Sequence, residues 1–385
     1  YGMIYLSYYK LLVSWTKKGI MAKLTKEKRS MLLNIGFVFL TMLLVIFLVV
    51  QAGDPGEILD AFRTINPWWL AGALGCFVVH VLLEGLIMRI FFHFQSVRIS
   101  WASCNLVGLI GMYYSSITPA ATGGQPMQAF AFKRRGVPSG IGYSALAVKF
   151  FCWQCALLLT GAVLWIAFGS FIYQLLGKGV WLVALGFFFN SLMVFLVILL
   201  AISRNLVRAI IIFFVNIGYR VRLVKDKVKT SSRMDAALND FHSSVDILTQ
   251  HPGQFLVLFG FSLVQVTVLM SVIYCIYRGF SLQNHSYAQV LAVQFLLYIT
   301  ASFTPLPGAS GAQEGGFYLF FKSFFPDSLI FAALLIWRFV TYYLFIIIGF
   351  LAVLADQTFK MRQRRKQYME QSDIVPDEDK LQAEE

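Results

Sequence analysis

The feature that most constrains the fold is a proline- and glycine-rich motif that occurs twice in otherwise apolar sequence. The first copy is SITPAATGGQP at 116–126, and the second is SFTPLPGASGAQEGG at 302–316. Both contain Ser-x-Thr-Pro followed by a glycine-rich run that leads to a glutamine, and they occupy corresponding places in two halves of the chain. Paired interrupted segments of this kind are typical of membrane transporters, where they form the binding site.

The composition is that of a protein with several membrane-spanning helices. Of 385 residues, 58% are apolar and 13% are charged, and the mean hydropathy is +0.70. These values exclude a soluble domain. In a membrane protein, the net charge of +13 reflects basic cytoplasmic segments that set the topology and contact anionic lipid headgroups. It does not indicate nucleic-acid binding. No cleavable signal is expected, because the basic N-terminal segment lacks an apolar core and a cleavage site.

Apolar runs of about 20 residues predict six helices that cross the membrane. They lie near 31–51, 67–92, 140–168, 179–203, 253–277 and 328–355. Two further stretches, 101–132 and 286–325, are apolar at each end and broken by the motif between. The apolar pattern alone leaves open whether each of these two is a single span or a hairpin.

The distribution of lysine and arginine favours hairpins. Basic residues concentrate in 1–30, at Arg98, at Lys133–Arg135, in 204–233 and in 360–366. If these segments are all cytoplasmic, as basic segments usually are, then 101–132 starts and ends inside, whereas 286–325 starts and ends outside. A single span at 101–132 would move the basic segment 204–233 outside, so we disfavour it.

The predicted fold is therefore an all-α polytopic membrane protein with six full spans, two opposed re-entrant hairpins and an inverted-topology repeat. The predicted domains are a basic cytoplasmic segment (1–30), a first membrane half (31–203), a cytoplasmic interfacial linker (204–252), a second membrane half (253–356) and a cytoplasmic tail (357–385). Both termini would face the cytoplasm. A homodimer is compatible with the sequence, although nothing in it defines an interface.

The two motifs supply most of the predicted substrate-binding residues. Non-helical backbone at membrane depth lies inside protein or lines a polar cavity. A helix that restarts after Pro119 or Pro305 presents unpaired N–H groups, which favour anions such as phosphate. The predicted residues are Thr118, Pro119, Thr122, Gly123, Gly124, Gln125, Thr304, Pro305, Gly308, Gly311, Gln313, Glu314 and Gly315. The alternative is that proline and glycine kink the spans for packing alone.

Ionisable residues inside the spans are costly, so each is a candidate for substrate binding. The candidates are Glu84, Lys149, Glu314 and Arg338. Glu314 is expected to pair with Arg338 or with a cationic group of the ligand. Glu84 follows His80 by one helical turn, which permits either a structural hydrogen bond or a proton relay.

Three basic residues follow the first motif closely. Lys133, Arg134 and Arg135 provide a topology signal, and they are also candidates for attracting an anionic headgroup from the inner leaflet. Arg89, near the cytoplasmic end of its span, is expected to reach the interface. The CxxC at 152–155 has no second pair and no nearby histidine, so neither a metal site nor a cofactor is expected.

The paired motifs resemble the signature segments of the lysylphosphatidylglycerol synthase/flippase transmembrane family. The resemblance rests on TPAATGGQP at 118–126 with the basic residues after it, and on Pro305-x-Pro-Gly-x-x-Gly-x-x-Glu-Gly. It extends over 31–355. It implies a flippase that moves aminoacylated phosphatidylglycerol, such as lysylphosphatidylglycerol, to the outer leaflet of a bacterial cytoplasmic membrane. Such transport contributes to resistance against cationic antimicrobial peptides.

The resemblance also implies a need for another protein. In the full resistance factor an aminoacyl-transferase domain follows the membrane region, whereas this chain ends at Glu385. We therefore expect a lipid translocase without enzymatic activity, which depends on a separate synthase for its phospholipid substrate. Two other classes stay open: a transporter of another lipid, a lipid-linked sugar or a small solute, and a membrane-embedded headgroup transferase with Glu314 as base.

Overall fold

The computed structural model describes residues 55–203 and 250–357 continuously, and isolated positions elsewhere in 36–43 and 205–246. The regular structure of these residues is entirely helical. The predicted span 31–51, the segment 1–30, most of the linker 204–252 and nearly all of the tail 357–385 lie outside the described residues. The contacts given below belong to the compact unit Glu57–Glu385.

The helices are numbered in chain order. They are α1 Pro55–Thr64, α2 Pro67–Phe94, α3 Trp101–Ile117, α4 Gly124–Arg134, α5 Ser139–Leu176, α6 Val180–Ile202, α7 Pro252–Met270, α8 Val272–Gly279, α9 Tyr287–Ala301, α10 Ala312–Phe321 and α11 Asp327–Arg338. Short 3₁₀ turns, Pro119–Ala121 and Pro307–Ala309, join α3 to α4 and α9 to α10. A π-helical segment, Phe339–Tyr343, continues α11 and is followed by α-helix over 344–357.

Four helical stretches of the described part are long and apolar enough to cross a membrane. They are Pro67–Phe94, Ser139–Leu199, Pro252–Gly279 and Asp327–Gln357. The 61-residue stretch Ser139–Leu199 contains both α5 and α6, which pack side by side around a turn at Gly177 (φ 51°). The chain is thus a helical membrane protein, and the total of six spans stays a prediction.

Helix α2 shows how the sequence sets the ends of a span. The Asn66 side chain accepts a hydrogen bond from Trp68 N (2.9 Å), and a proline opens the first turn. At the other end, Ser96 has a positive φ of 56°, and Val97 N donates to Phe92 O (2.8 Å). The 28 residues of α2 extend about 42 Å, which exceeds the ~30 Å hydrocarbon layer.

Each motif forms the turn of a helical hairpin. Helices α3 and α4 pack against each other around the first motif, and α9 and α10 do so around the second. Helix α3 ends two residues before Pro119, because proline lacks the N–H that a helix interior requires. Ala120 and Ala121 then adopt positive φ angles of 49° and 54°, a left-handed conformation that costs roughly 1–2 kcal/mol per residue.

The glycines of the first motif serve close packing. A Cβ at Gly124 would lie 2.8 Å from Gly111 O, and a Cβ at Gly123 would lie 2.7 Å from Thr118 Cγ2. Both distances are too short for a methyl group. The pair of glycines therefore allows α4 to begin directly against α3.

The two hairpins have their bases at opposite ends of α2. At its C-terminal end, Phe92 packs against Phe132 of α4 with ring centroids 4.8 Å apart. At its N-terminal end, Asn66 N donates to Gly279 O (2.9 Å), and Phe280 packs against Phe325 beyond α10 (6.5 Å). The turns approach each other from opposite directions. Their re-entrant position in a bilayer and the inverted repeat stay predictions.

Candidate functional site

The two motifs meet at their turns. Ala120 N donates a hydrogen bond of 3.0 Å to Pro305 O. Tyr342, in the π-helical segment of the last span, donates from its hydroxyl to Ser116 O (3.1 Å), and its ring fills the space beside Gly308. Irregular backbone from both hairpins is therefore joined at one place, with the last span beside it.

A buried ion pair holds the second turn. Arg338 Nε donates to Glu314 Oε1 at 2.7 Å, and Gly311 N donates to Glu314 Oε2 at 2.6 Å. Arg338 is 4% exposed, donates to Gly308 O (3.1 Å) and lies 4.5 Å from the centre of the Tyr342 ring. The expected pairing of Glu314 with Arg338 is confirmed, and both carboxylate oxygens are engaged within the protein.

A second buried ion pair surrounds Glu84 of α2. Lys149 of α5 pairs with Glu84 Oε1, and Gln128 of α4 donates to the same oxygen (3.4 Å). Gln265 of α7 donates to Glu84 Oε2 (3.0 Å). His80 Nδ1 faces Gln265 O (3.3 Å) instead of the Glu84 carboxylate. No sequence pattern indicated that Glu84 and Lys149 pair. In the structure they join four helices in one cluster.

Neutral polar side chains complete the site, and sequence reasoning missed them. Gln128 and Gln265 are buried beside Glu84. Asn190 of α6 donates to Ile299 O (3.1 Å) and to Ser302 Oγ (2.8 Å), which fixes the end of α9 just before the second turn. An amide in an apolar helix must find hydrogen-bond partners within the protein. That requirement was the signal available in the sequence.

The helices that follow the two turns begin differently. Helix α10 carries Glu314 in its first turn, where the carboxylate accepts from Gly311 N. The corresponding residue of α4 is Pro126, and no side chain caps the start of that helix. An uncapped helix start favours an anion. The second helix start already holds a carboxylate, so only the first is left for the predicted anion preference, which stays a prediction.

The remaining predicted residues divide between buried and exposed positions. The Thr118 hydroxyl donates to Tyr114 O (2.6 Å) and accepts from Gly123 N (2.9 Å), so it shapes the first turn. Gln313 is buried, and its Oε1 has no hydrogen-bond partner in the described part of the chain. Thr304 and Gly308 are half-buried. The exposed members are Pro119, Thr122, Gln125, Pro305, Gly311 and Gly315.

The basic residues after the first motif have unequal surroundings. Arg134 and Arg135 both form ion pairs with Asp356 at the end of the last span, the second at 2.6 Å. Lys133 is exposed. Two of the three side chains considered for headgroup attraction thus already have a carboxylate partner. The cluster also places the end of the first hairpin beside the end of the last span, in agreement with a common side of the membrane for both.

Comparison with known proteins decides the family. Residues 31–349 match the family described as the lysylphosphatidylglycerol synthase TM region. The chain belongs to this family. It is also similar to a UPF0104 membrane protein of Archaeoglobus fulgidus, with 27% identity over 292 residues that cover 71% of this chain and 81% of the relative. A UPF0104 membrane protein of Methanothermobacter thermautotrophicus is 24% identical over 135 residues, 35% of this chain and 37% of the relative.

The family match includes both motifs and both buried ion pairs. The resemblance noted in the motifs is thereby confirmed. As a member of this family, the chain is a membrane protein, and irregular backbone of both motifs lies at the contact between the two hairpin turns.

Proposed function

We propose that this protein carries a phosphate-bearing amphiphile across the membrane, and that the substrate is an aminoacylated phosphatidylglycerol. The supporting observation is the contact between the turns of two opposed hairpins, Ala120 N to Pro305 O at 3.0 Å. Helices α3 and α10 have 17 and 10 residues, or about 26 and 15 Å. Hairpins of this size that enter from opposite surfaces meet inside a hydrocarbon layer about 30 Å thick.

Exposed residues of the turns would form the path for the polar headgroup. At membrane depth, irregular backbone is stable only inside protein or beside a polar cavity. Thr122 and Gln125 are exposed next to the uncapped start of α4, where partial positive charge favours phosphate. The acyl chains would stay in the lipid beside the hairpins.

The two buried ion pairs offer both signs of charge to the substrate. An aminoacyl phosphatidylglycerol headgroup carries a phosphate and at least one ammonium group. Lys149 or Arg338 would bind the phosphate, and Glu84 or Glu314 would bind the ammonium group. A headgroup that carries both charges can replace each partner of a buried ion pair, so no charge is left unpaired inside the protein. This matters because an unpaired buried charge destabilises a protein by several kcal/mol, on the order of 3–5.

Transport would require the two turns to separate. Rocking of the two halves, as in transporters built from inverted repeats, would open the path to one leaflet at a time. Outward movement of one net positive charge against an inside-negative potential costs about 2.3 kcal/mol per 100 mV. A gradient or a coupled ion must therefore drive the outward movement of a cationic lipid.

The proposal includes a cellular setting. The protein would lie in the cytoplasmic membrane of a bacterium with both termini inside, and a separate synthase would deliver the modified lipid to the inner leaflet. Its action would lower the negative charge of the outer surface and so reduce the binding of cationic antimicrobial peptides.

The test is the transfer of headgroup-labelled aminoacyl phosphatidylglycerol between leaflets of liposomes that contain the purified chain. Plain phosphatidylglycerol and protein-free liposomes are the references. We expect the aminoacyl lipid to move faster with protein. Gln125→Ala, which removes an exposed amide, should slow the transfer several-fold without lowering the melting temperature.

Two outcomes would change the proposal. Equal transfer rates with and without folded protein would contradict it. Transfer of plain phosphatidylglycerol at the same rate as the aminoacyl lipid would retain lipid transport and reject the aminoacyl group as the feature that is recognised.

A further inference from the structure

A cavity with three basic side chains lies at the base of the first hairpin, where α2 ends and the chain turns into α3. Its volume is about 380 Å³. It is lined by Arg89, His93, Val97, Arg98, Ile99 and Ser100. No acidic residue is among them. None of these residues belongs to the motifs or to the buried ion pairs described above.

The arginines of this cavity differ from the buried cations and from Arg134 and Arg135 in having no carboxylate partner among the described residues. Lys149, Arg338, Arg134 and Arg135 each pair with a carboxylate. By contrast, the side chains of Arg89 and Arg98 form neither ion pairs nor hydrogen bonds with the residues that the structure describes. Both are exposed. No carboxylate among the described residues therefore neutralises the positive charge of the cavity.

The local backbone brings these side chains together. Arg89 and His93 are one turn apart and lie on the same face of α2. Ser96, with φ 56°, turns the chain back over the helix end, and Val97 N is fastened to Phe92 O (2.8 Å). This turn places Arg98 opposite the face of α2 that carries Arg89. The cavity thus lies where the chain turns at the end of α2.

Phosphate is the ligand chemistry that fits this arrangement. Two guanidinium groups offer forked N–H donors that match phosphate oxygens. The cavity volume suits a small headgroup, since ligand sites usually enclose about 300–1,000 Å³. Trp101, the first residue of α3, is 38% exposed beside the cavity, and tryptophan in this position is typical of the membrane interface.

We infer that this cavity binds the phosphate group of an anionic lipid headgroup at the membrane surface, beside the base of the first hairpin. The packing of Phe92 against Phe132 (4.8 Å) connects the wall of the cavity to α4, the helix with the uncapped start. The site would hold a lipid headgroup next to the hairpin, either before the lipid is transported or without any transport of that lipid. The inference concerns binding alone and does not require the proposed translocation.

Native mass spectrometry of the full chain in detergent measures this binding directly. Phosphatidylglycerol is titrated, with phosphatidylcholine as the reference lipid without net charge. We expect phosphatidylglycerol to bind more tightly, and Arg98→Gln to weaken it by roughly tenfold, as for the loss of one charge-assisted hydrogen-bonding group. Lys322→Gln is the matched control, because it removes one exposed charge just after α10, outside the cavity and with no proposed role in binding; its effect should stay below about twofold.

Competition with inorganic phosphate separates the two sources of the ligand group. If millimolar phosphate displaces the lipid from the native chain, the site recognises the phosphate group itself. If it does not, the site requires the lipid. Equal losses for Arg98→Gln and Lys322→Gln, or no loss for Arg98→Gln, would overturn the inference. Lipid transfer by Arg98→Gln is measured separately, so a failure of transport is not mistaken for a failure of binding.

Discussion

Glu84 and Glu314 are both buried carboxylates, but their partners suit them to different roles. Glu314 is held by Arg338 and by a backbone N–H of its own turn. Glu84 is held by Lys149 and by two glutamines from other helices. An arginine forms a rigid, directed pair, whereas a lysine is a flexible point charge. We therefore expect Glu84 and Lys149 to exchange partners during transport, while Glu314 and Arg338 hold the second turn.

Glu314→Gln should strongly destabilise the protein, because it leaves the guanidinium of Arg338 buried without a counter-charge. The expected loss is roughly 3–5 kcal/mol in the free energy of unfolding, measured by denaturant or thermal unfolding in detergent. The double variant Glu314→Gln with Arg338→Met should recover part of this loss, since no charge then remains unpaired. A double variant as unstable as the single one would show that the turn depends on more than charge balance.

The sequence allowed one of these pairs to be predicted and not the other. Glu314 stands out as an acid inside a glycine-rich break, and Arg338 is a nearby base in an apolar span. Lys149 and Glu84 are 65 residues apart, on helices whose crossing is set by tertiary packing. Gln128 and Gln265 complete the cluster around Glu84. They carry no charge, so the rule that ionisable residues in spans are site candidates did not select them.

Among the helices, proline positions predicted where the chain breaks, and each break is a turn between two packed helices. The re-entrant position that charge bias predicted for both hairpins stays a prediction. The shape of the turns was not predictable in the same way. Ala120 and Ala121 adopt the positive φ that glycine would adopt more easily, beside the hydrogen bond from Ala120 N to Pro305 O. A contact between distant parts of the chain stabilises this conformation, and no local pattern specifies such a contact.

Two glycines of the second hairpin should respond very differently to alanine. At Gly308 the backbone has φ 60°, and a Cβ would collide with the ring of Tyr342. At Gly315, in helix α10, a Cβ would meet nothing within 4 Å. Gly308→Ala should therefore lower the melting temperature in detergent and slow lipid transfer. Gly315→Ala should be neutral or stabilising by up to about 1 kcal/mol, since alanine favours helix. Equal melting temperatures for the two variants would contradict the packing of Tyr342 against the turn.

For the whole molecule, composition predicted a membrane protein and the motifs predicted the family, and both are confirmed. The meeting of the two turns could not be predicted, because it depends on how the helices between the motifs pack. Charge bias predicted opposed re-entrant hairpins, which stay a prediction; the structure shows contacts of the two hairpin bases at the two ends of α2.

Opposed hairpins predict opposite sidedness for two exposed lysines. Lys133 follows the first hairpin, next to the cluster around Asp356, whereas Lys178 lies in the turn between α5 and α6. The α5 residue Phe171 packs against Phe324 at the base of the second hairpin (6.0 Å). In a cysteine-free background, Lys178→Cys should react with an impermeant maleimide in intact cells, and Lys133→Cys only after permeabilisation. Labelling of both from the same side would reject the opposed arrangement.

If the two turns form the closed gate of a lipid path, a covalent link between them must block lipid transfer. Ala120→Cys and Leu306→Cys place thiols on the two turns, where Ala120 N contacts Pro305 O and Leu306 is 54% exposed. In a cysteine-free background, a short cleavable reagent that is thiol-reactive at both ends should stop lipid transfer in liposomes, and cleavage should restore it, while each single-cysteine variant keeps its rate under the same treatment. Unchanged transfer by the cross-linked protein would contradict the account.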